Sequence, residues 1–87
     1  MSYSYETEKP WLFTDEGQRC FLKVRDNAFA LCDQAGAFNG MSALKNVSYG
    51  DTFKAMALLD RMMELGDVRE VTANTWGQDR IFVRVRR

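Results

Sequence analysis

Apolar residues in the first half of the chain recur with a helical period. The main stripe follows a spacing of three or four residues and consists of Phe21, Val24, Ala28, Leu31 and Ala35. Thr14 precedes two acidic residues, which is typical of a helix start, because a hydroxyl can cap free amide groups and acids favour the positive end of the helix dipole. Gly36 is a typical helix stop. The pattern therefore predicts a first helix over residues 14–35.

Two further helices are predicted downstream. Residues 37–40 are expected to form a connection, in which Asn39 can cap a short second helix over residues 41–47. Asp51 can cap a third helix that runs to Leu65, since the apolar residues of that stretch again follow a helical period. The three helices together are expected to build one small hydrophobic core.

After the third helix the pattern changes to a period of two. Residues 68–72 are rich in β-branched side chains, and residues 74–79 have the composition of a turn. The β-branched residues of the last stretch are predicted to face the core: Ile81, Val83 and Val85. The opposite, exposed face is predicted to carry Arg80, Phe82, Arg84 and Arg86. The two strands are expected to pair as an antiparallel hairpin.

This order of a long helix, a short helix, a tight turn, a longer helix and a hairpin resembles the winged helix-turn-helix family. The segment LLDRMMELGDVREV, followed by a glycine-containing turn and RIFVRV, is similar to a recognition helix that runs through a glycine into the wing. The preceding AGAFNGMSALKNVSYGDTF is similar to the second helix and turn. The chain also resembles small uncharacterised proteins of phage and prophage type that begin YETEKP and continue with FTDEGQ.

The resemblance implies an α+β fold, namely a three-helix winged helix-turn-helix domain with a C-terminal antiparallel β-hairpin. The domain would cover residues 14–87, and residues 1–13 would form an N-terminal arm. Tyr3 and Tyr5 alternate with serines, so the arm is expected either to be a short extended segment or to fold over the core.

The resemblance further implies a small regulatory domain whose third helix enters the major groove of DNA and whose wing touches the backbone. The residues predicted to contact nucleic acid are Lys54, Arg61, Arg80, Phe82, Arg84 and Arg86. The hairpin is expected to dominate, because four arginines and no acid lie between residues 80 and 87, whereas Asp60 and Glu64 on the third helix would repel phosphates. Two simpler interpretations of these charges stay open. The arginines of the hairpin can serve to keep a terminal edge strand soluble, and the charged residues of the third helix can form local ion pairs with one another.

The alternative function is a protein–protein interaction module on the same fold, such as a phage-type factor that binds a host protein. Twelve basic and twelve acidic residues give a net charge of zero, which favours this alternative over the binding of a polyanion. The candidate residues for protein contact are Phe53, Tyr49 and Trp76, although Phe53 can instead pack under the first helix and Trp76 can fold back onto the sheet.

Residues that would support catalysis or metal binding are scarce. The chain has no histidine, which excludes Ser–His–Asp catalysis and zinc sites built on histidine. Cys20 and Cys32 lie about 18 Å apart along the first predicted helix. This separation is too large for a disulfide, so both cysteines are expected to be free thiols. Since no glycine-rich phosphate-binding motif is present, we expect a non-enzymatic protein without a cofactor or a metal.

Two features of the sequence bear on its location. No apolar run approaches the roughly 20 residues of a membrane-spanning helix, so we expect no membrane partner. The first residues lack the basic start and the apolar core of a signal peptide. A cytoplasmic location is therefore expected.

Overall fold

The computed structural model describes residues 2–71 and 80–85, and within these ranges the protein has an α+β fold. In chain order the elements are α1 (Tyr5–Glu8), a 3₁₀-helix (Lys9–Phe13), α2 (Asp15–Ala35), β1 (Ala37–Asn39), α3 (Gly40–Ala43), α4 (Thr52–Glu64), β2 (Val68–Glu70) and β3 (Ile81–Arg84). The turn predicted over residues 74–79 lies outside the described residues.

The caps predicted for the two long helices are present. The Thr14 side-chain oxygen accepts a hydrogen bond from the Gly17 N–H at 3.0 Å, and the Asp51 carboxylate accepts one from the Lys54 N–H at 2.9 Å. α2 ends at Gly36, whose φ of 81° lies in the left-handed region that glycine tolerates best. The first and third predicted helices are thus confirmed to within one residue at each end.

The second predicted helix is shorter than expected. Asn39 caps α3 as predicted, since its side-chain oxygen accepts a hydrogen bond from the Met41 N–H at 2.8 Å. The helix nevertheless ends at Ala43, and turns follow it. Asn46 then adopts a left-handed φ of 64°, which an α-helix cannot include. The prediction of a helix up to residue 47 is therefore wrong.

The three strands form one antiparallel sheet in the order β1-β3-β2. β2 and β3 pair antiparallel, as predicted. On the other side of β3, Phe38 of β1 lies opposite Phe82, and their rings stack with centroids 5.1 Å apart. The expectation of a plain connection over residues 37–40 is therefore wrong. A strand of three residues is too short to show a period of two in the sequence, and its partner lies far along the chain.

The core lies between α2, α4 and one face of the sheet. Its largest fully buried side chains are Phe82, Leu58, Leu59, Met62 and Val24. Among the described residues, no helix combines the length and the apolar character that crossing a membrane requires.

The N-terminal arm folds over this core, which is one of the two conformations expected for it. Leu12 is buried, and Tyr3 and Trp11 pack against the core. The 3₁₀-helix lies so close to α2 that a Cβ atom at Gly17 would stand 2.1 Å from the Trp11 carbonyl oxygen. A larger residue than glycine at this position would therefore push the arm away from α2.

The predicted assignment of faces on the C-terminal strand is wrong. Phe82 is 0% exposed and Arg80 is 6% exposed, whereas Ile81 and Val83 are only half-buried and Val85 is exposed. β3 is the middle strand of the sheet, and the face that carries Arg80 and Phe82 is the one that meets the helices. An aromatic ring gains more free energy from this burial than a valine does.

Candidate functional site

Arg80, a predicted nucleic-acid contact, forms an ion-pair network inside the domain. Its guanidinium donates to Asp60 on α4 at 2.7 Å and to the two oxygens of Glu70 on β2 at 3.1 and 3.2 Å. Burial alone would lower the pKa of Arg80, but its hydrogen bonds to Glu70 and Asp60 raise that pKa above the ordinary value. Arg80 therefore keeps its charge and directs it to two carboxylates of its own chain.

Phe82, predicted to stack on a base, is enclosed by protein. Its ring stacks on Phe38, and the Arg80 guanidinium lies 5.1 Å from its centroid. The exposure on which the predicted nucleic-acid contacts at Arg80 and Phe82 depend is therefore not found, since both side chains are buried in the domain. The two side chains share one face of β3, as the period of two requires, but that face is turned towards the helices.

Arg84 keeps part of its guanidinium at the surface. Its side chain is 43% exposed and stands 3.8 Å from an Asp33 carboxylate oxygen. The guanidinium also lies 4.0 Å from the centroid of the Phe29 ring. An exposed pair of this kind is weak, so a phosphate can compete with Asp33 for Arg84. Arg86 and Trp76, which are also predicted contacts, lie outside the described residues.

The N-terminal arm covers the outward face of α4, defined as the face that carries Lys54, Asp60, Arg61 and Glu64. The Tyr3 hydroxyl donates to Asp60 at 2.6 Å, and the Tyr5 hydroxyl donates to Glu64 at 2.7 Å. Lys9 Nζ donates to the other Glu64 oxygen at 2.8 Å. These hydrogen bonds, first among them that from Lys9, lower the pKa of Glu64 from 4.5 to about 2. Burial and the bond to Glu64 raise the pKa of Tyr5 to about 12, so its phenol remains a donor at neutral pH.

Aromatic rings of the arm contact the two predicted nucleic-acid residues of α4. Lys54 Nζ lies 5.3 Å from the centroid of the Trp11 ring, and the Arg61 guanidinium lies 5.1 Å from that of the Phe13 ring. Arg61 also forms an ion pair with Glu64, one turn further along the helix. The face that the family resemblance assigns to the DNA major groove is therefore occupied by the protein's own arm.

Two of the aromatic residues predicted for protein contact pack against the chain itself. The Phe53 ring is half-buried and lies 5.9 Å from the Tyr3 ring, centroid to centroid. Tyr49 is partly buried against the core. Phe53 therefore packs against its own chain, which the sequence left open as an alternative, although its ring contact is with Tyr3 of the arm.

An apolar groove that the sequence did not predict opens between the 3₁₀-helix, α2 and the end of α4. This helical groove has a volume of about 220 Å³ and is lined by Leu12, Phe13, Gln18, Phe21, Leu22, Arg61 and Leu65. Three of the apolar lining residues are unusually exposed: Phe13 at 54%, Leu22 at 49% and Leu65 at 41%. Large apolar side chains that gather at one exposed surface are typical of interaction sites.

The sequence carried only an indirect signal for the helical groove. Leu22 widens the apolar stripe of the first helix beyond what one packing neighbour covers. Phe13 and Leu65 lie far from each other along the chain, and only the folded arm brings them together beside Leu22. Periodicity identifies an apolar position, but it does not distinguish a covered one from an exposed one.

The two cysteines are buried and free. Both thiols are unpaired, as predicted. Burial raises the pKa of Cys20 and of Cys32, which disfavours the reactive thiolate. The Cys20 thiol donates instead to the Ser48 carbonyl oxygen at 3.3 Å. Within residues 2–71 and 80–85, no group of three or more potential ligands is placed to hold a metal ion.

The structure thus gathers a different set of residues from the predicted one. Among the described residues, the basic side chains of the predicted nucleic-acid contacts do not converge on one surface: Arg80 is buried, Lys54 and Arg61 lie beside the arm on α4, and Arg84 stands on β3 beside Asp33. Apolar side chains instead converge on the helical groove. In comparisons with known proteins, no family model, curated protein or solved structure matches the chain. A function is therefore inferred from these residues alone.

Proposed function

We propose that the chain is a non-enzymatic protein–protein interaction module of winged-helix type that binds a partner through the helical groove. The observation that carries this proposal is the convergence of Phe13, Leu22 and Leu65, all large, apolar and exposed, on one groove. The order of α2, α3, α4 and the β2–β3 pair supports the winged-helix assignment, because it is the order on which the resemblance rests.

Charge on the outward face of α4 favours protein binding over DNA binding. Asp60 and Glu64 place two carboxylates there, and the arm already uses both as hydrogen-bond acceptors. A phosphate backbone approaching this face would meet carboxylates and would have to displace the arm. The free energy needed to break these hydrogen bonds would weaken any binding of DNA to this face.

DNA binding through the C-terminal strand is the second candidate function. Arg84 favours it, because its guanidinium is partly exposed and the sequence continues with Arg86 and Arg87. Titration of a random duplex at low salt tests this candidate. The logarithm of the binding constant falls linearly with the logarithm of the salt concentration, and each arginine that neutralises a phosphate contributes about 0.9 to this slope. Loss of Arg84 would therefore flatten the slope by about one unit.

Capture of partners by matched variants tests the leading proposal. The protein is immobilised as wild type, as Leu22→Asp and as Met41→Asp, and the proteins retained from a lysate of the producing cells are quantified. Met41 is a suitable control, because its apolar side chain is 47% exposed on α3, away from the helical groove. We expect a partner that wild type and Met41→Asp retain and that Leu22→Asp loses. Retention of the same proteins by all three would contradict the proposal.

A further inference from the structure

We propose that the helical groove binds an acidic amphipathic segment of the partner protein, with a large apolar side chain in the groove and a carboxylate beside Arg25. This inference rests on the proposed function and specifies the chemistry of its partner. It depends on the size of the groove, on the charge of its lining and on Arg25, which forms no ion pair with any described residue.

The size of the groove fits a side chain rather than a free small molecule. Its volume of about 220 Å³ is below the roughly 300 Å³ at which pockets for small ligands begin. Leu22 lies on α2, Leu65 directly follows α4, and Phe13 ends the 3₁₀-helix, so the three side chains line the groove from three parts of the fold. One leucine, methionine or phenylalanine from a partner would be contacted on several sides and would remove these three side chains from water.

The polar part of the lining favours an anion. Among the described residues, the lining includes the cation Arg61 and the amide Gln18, and it includes no carboxylate. The nearest acid on α4 is Glu64, which is already held by Lys9, Tyr5 and Arg61. A basic segment would therefore meet no carboxylate in the lining, whereas an acidic one would meet Arg61, whose ion pair with Glu64 lies at the surface and can be shared.

Arg25 supplies the most specific argument for a carboxylate. It lies one helical turn beyond Phe21 and Leu22, so it continues the groove-lining flank of α2. Its side chain is half-buried, its guanidinium lies 5.9 Å from the centroid of the Phe21 ring, and no carboxylate in the described part of the chain pairs with it. A carboxylate supplied by a partner would give this guanidinium a charge-assisted hydrogen bond that the fold does not provide.

Selection from a random peptide library tests the inference while the partner is still unidentified. Random dodecapeptides displayed on phage are selected on immobilised wild-type protein and depleted on Leu22→Glu, so that binders of the helical groove are retained. The enriched peptides are synthesised with a fluorophore, and their affinities are measured by anisotropy. We expect them to combine a large apolar residue with Asp or Glu.

Charge variants then separate the role of Arg25 from a general effect of charge. Arg25→Glu is expected to weaken the enriched peptides about tenfold or more, which is the range for one lost hydrogen bond to a charged group. Lys23→Glu is the matched control, because it makes the same reversal on the exposed side of α2, and it should leave the affinity within about twofold. If Arg25→Glu fails to fold, Arg25→Met takes its place, because it keeps the apolar stem of the side chain and removes the charged group. This substitution should also weaken the binding of the enriched peptides.

The outcomes distinguish the inference from the proposed function. Enriched peptides that are neutral or basic, or whose affinity does not change in Arg25→Glu and Arg25→Met, would overturn the acidic partner and leave the groove as a protein-binding site. If no peptide is enriched, or if the enriched peptides bind Leu22→Glu as well as wild type, both the inference and the proposed function are overturned.

Discussion

The Asp60 carboxylate on α4 accepts a hydrogen bond at 2.6 Å from the hydroxyl of Tyr3, which lies 57 residues earlier in the chain. Its other oxygen accepts from the Arg80 guanidinium at 2.7 Å. Asp60 therefore joins the N-terminal arm, α4 and the start of β3. A residue expected to repel DNA from an exposed helix is in fact the point where three parts of the fold meet.

Removal of the Asp60 carboxylate should destabilise the protein. Asp60→Ala is expected to lower the free energy of unfolding by about 1–3 kcal/mol, because the buried Arg80 and the half-buried Tyr3 both lose a charged acceptor. Urea unfolding monitored by tryptophan fluorescence measures the change. Asp26→Ala, at an exposed position of α2, is the control and should change stability by less than about 0.5 kcal/mol. Equal effects of the two substitutions would contradict the role of Asp60.

The corrected strand faces predict unequal costs at neighbouring positions of β3. Phe82→Ala is expected to cost about 3–5 kcal/mol, because it removes a fully buried ring from the core. Val83→Ala should cost about 1 kcal/mol, because that side chain is only half-buried. Thermal and urea unfolding of both variants measure the difference. A larger loss at Val83 than at Phe82 would support the opposite assignment of faces, which is the one expected from the sequence pattern.

Acid should weaken the attachment of the arm through Glu64. The pKa of this carboxyl falls from 4.5 to about 2 in the folded protein. Its contribution to stability is therefore fully present above pH 4.5 and is lost as the pH falls towards 2. Unfolding of wild type and Glu64→Gln is compared across this range. The stability difference between them should be constant near neutral pH and should vanish towards pH 2, whereas Glu6→Gln, at an exposed position of α1, should show no such trend. A difference that does not depend on pH would contradict the hydrogen bonds to Glu64.

Both thiols should be protected in the folded state. Cys20 and Cys32 are buried and free, and burial raises the pKa of each. We expect slow reaction with a disulfide reagent in native buffer and rapid reaction of both cysteines after unfolding without reductant. The absorbance of the coloured thiolate that the reagent releases on reaction with a cysteine measures both rates. Rapid modification of the native protein, or fewer than two reactive thiols after unfolding, would be incompatible with the structure.

The two long helices were predictable from the sequence because their signals are local. Thr14 and Asp51 cap the two long helices, and Gly36 stops the first. Each of these residues acts on amide groups within a few positions of itself, so its effect is visible in a short window of sequence. β1 was missed for the opposite reason, since Ala37–Asn39 become a strand only by pairing with β3.

The candidate site was less predictable because it depends on contacts that are distant in sequence. An arginine at position 80 suggests a side chain exposed to solvent. Its burial is possible only because Asp60 on α4 and Glu70 on β2 both hydrogen-bond to its guanidinium. In the same way, Leu22 belongs to the widened apolar stripe of the first predicted helix, and Phe13 is one more apolar residue just before it. Nothing local indicates that the fold leaves them exposed around one groove.

A direct comparison of the two candidate surfaces tests the central claim that this protein binds through the helical groove. Isothermal titration calorimetry with the partner found by capture measures its affinity for wild type, Leu22→Asp and Arg84→Glu. We predict that Leu22→Asp weakens binding at least about thirtyfold, as expected for the loss of an apolar anchor, and that Arg84→Glu changes it by less than about threefold. A partner that loses its affinity in Arg84→Glu and keeps it in Leu22→Asp would contradict the account.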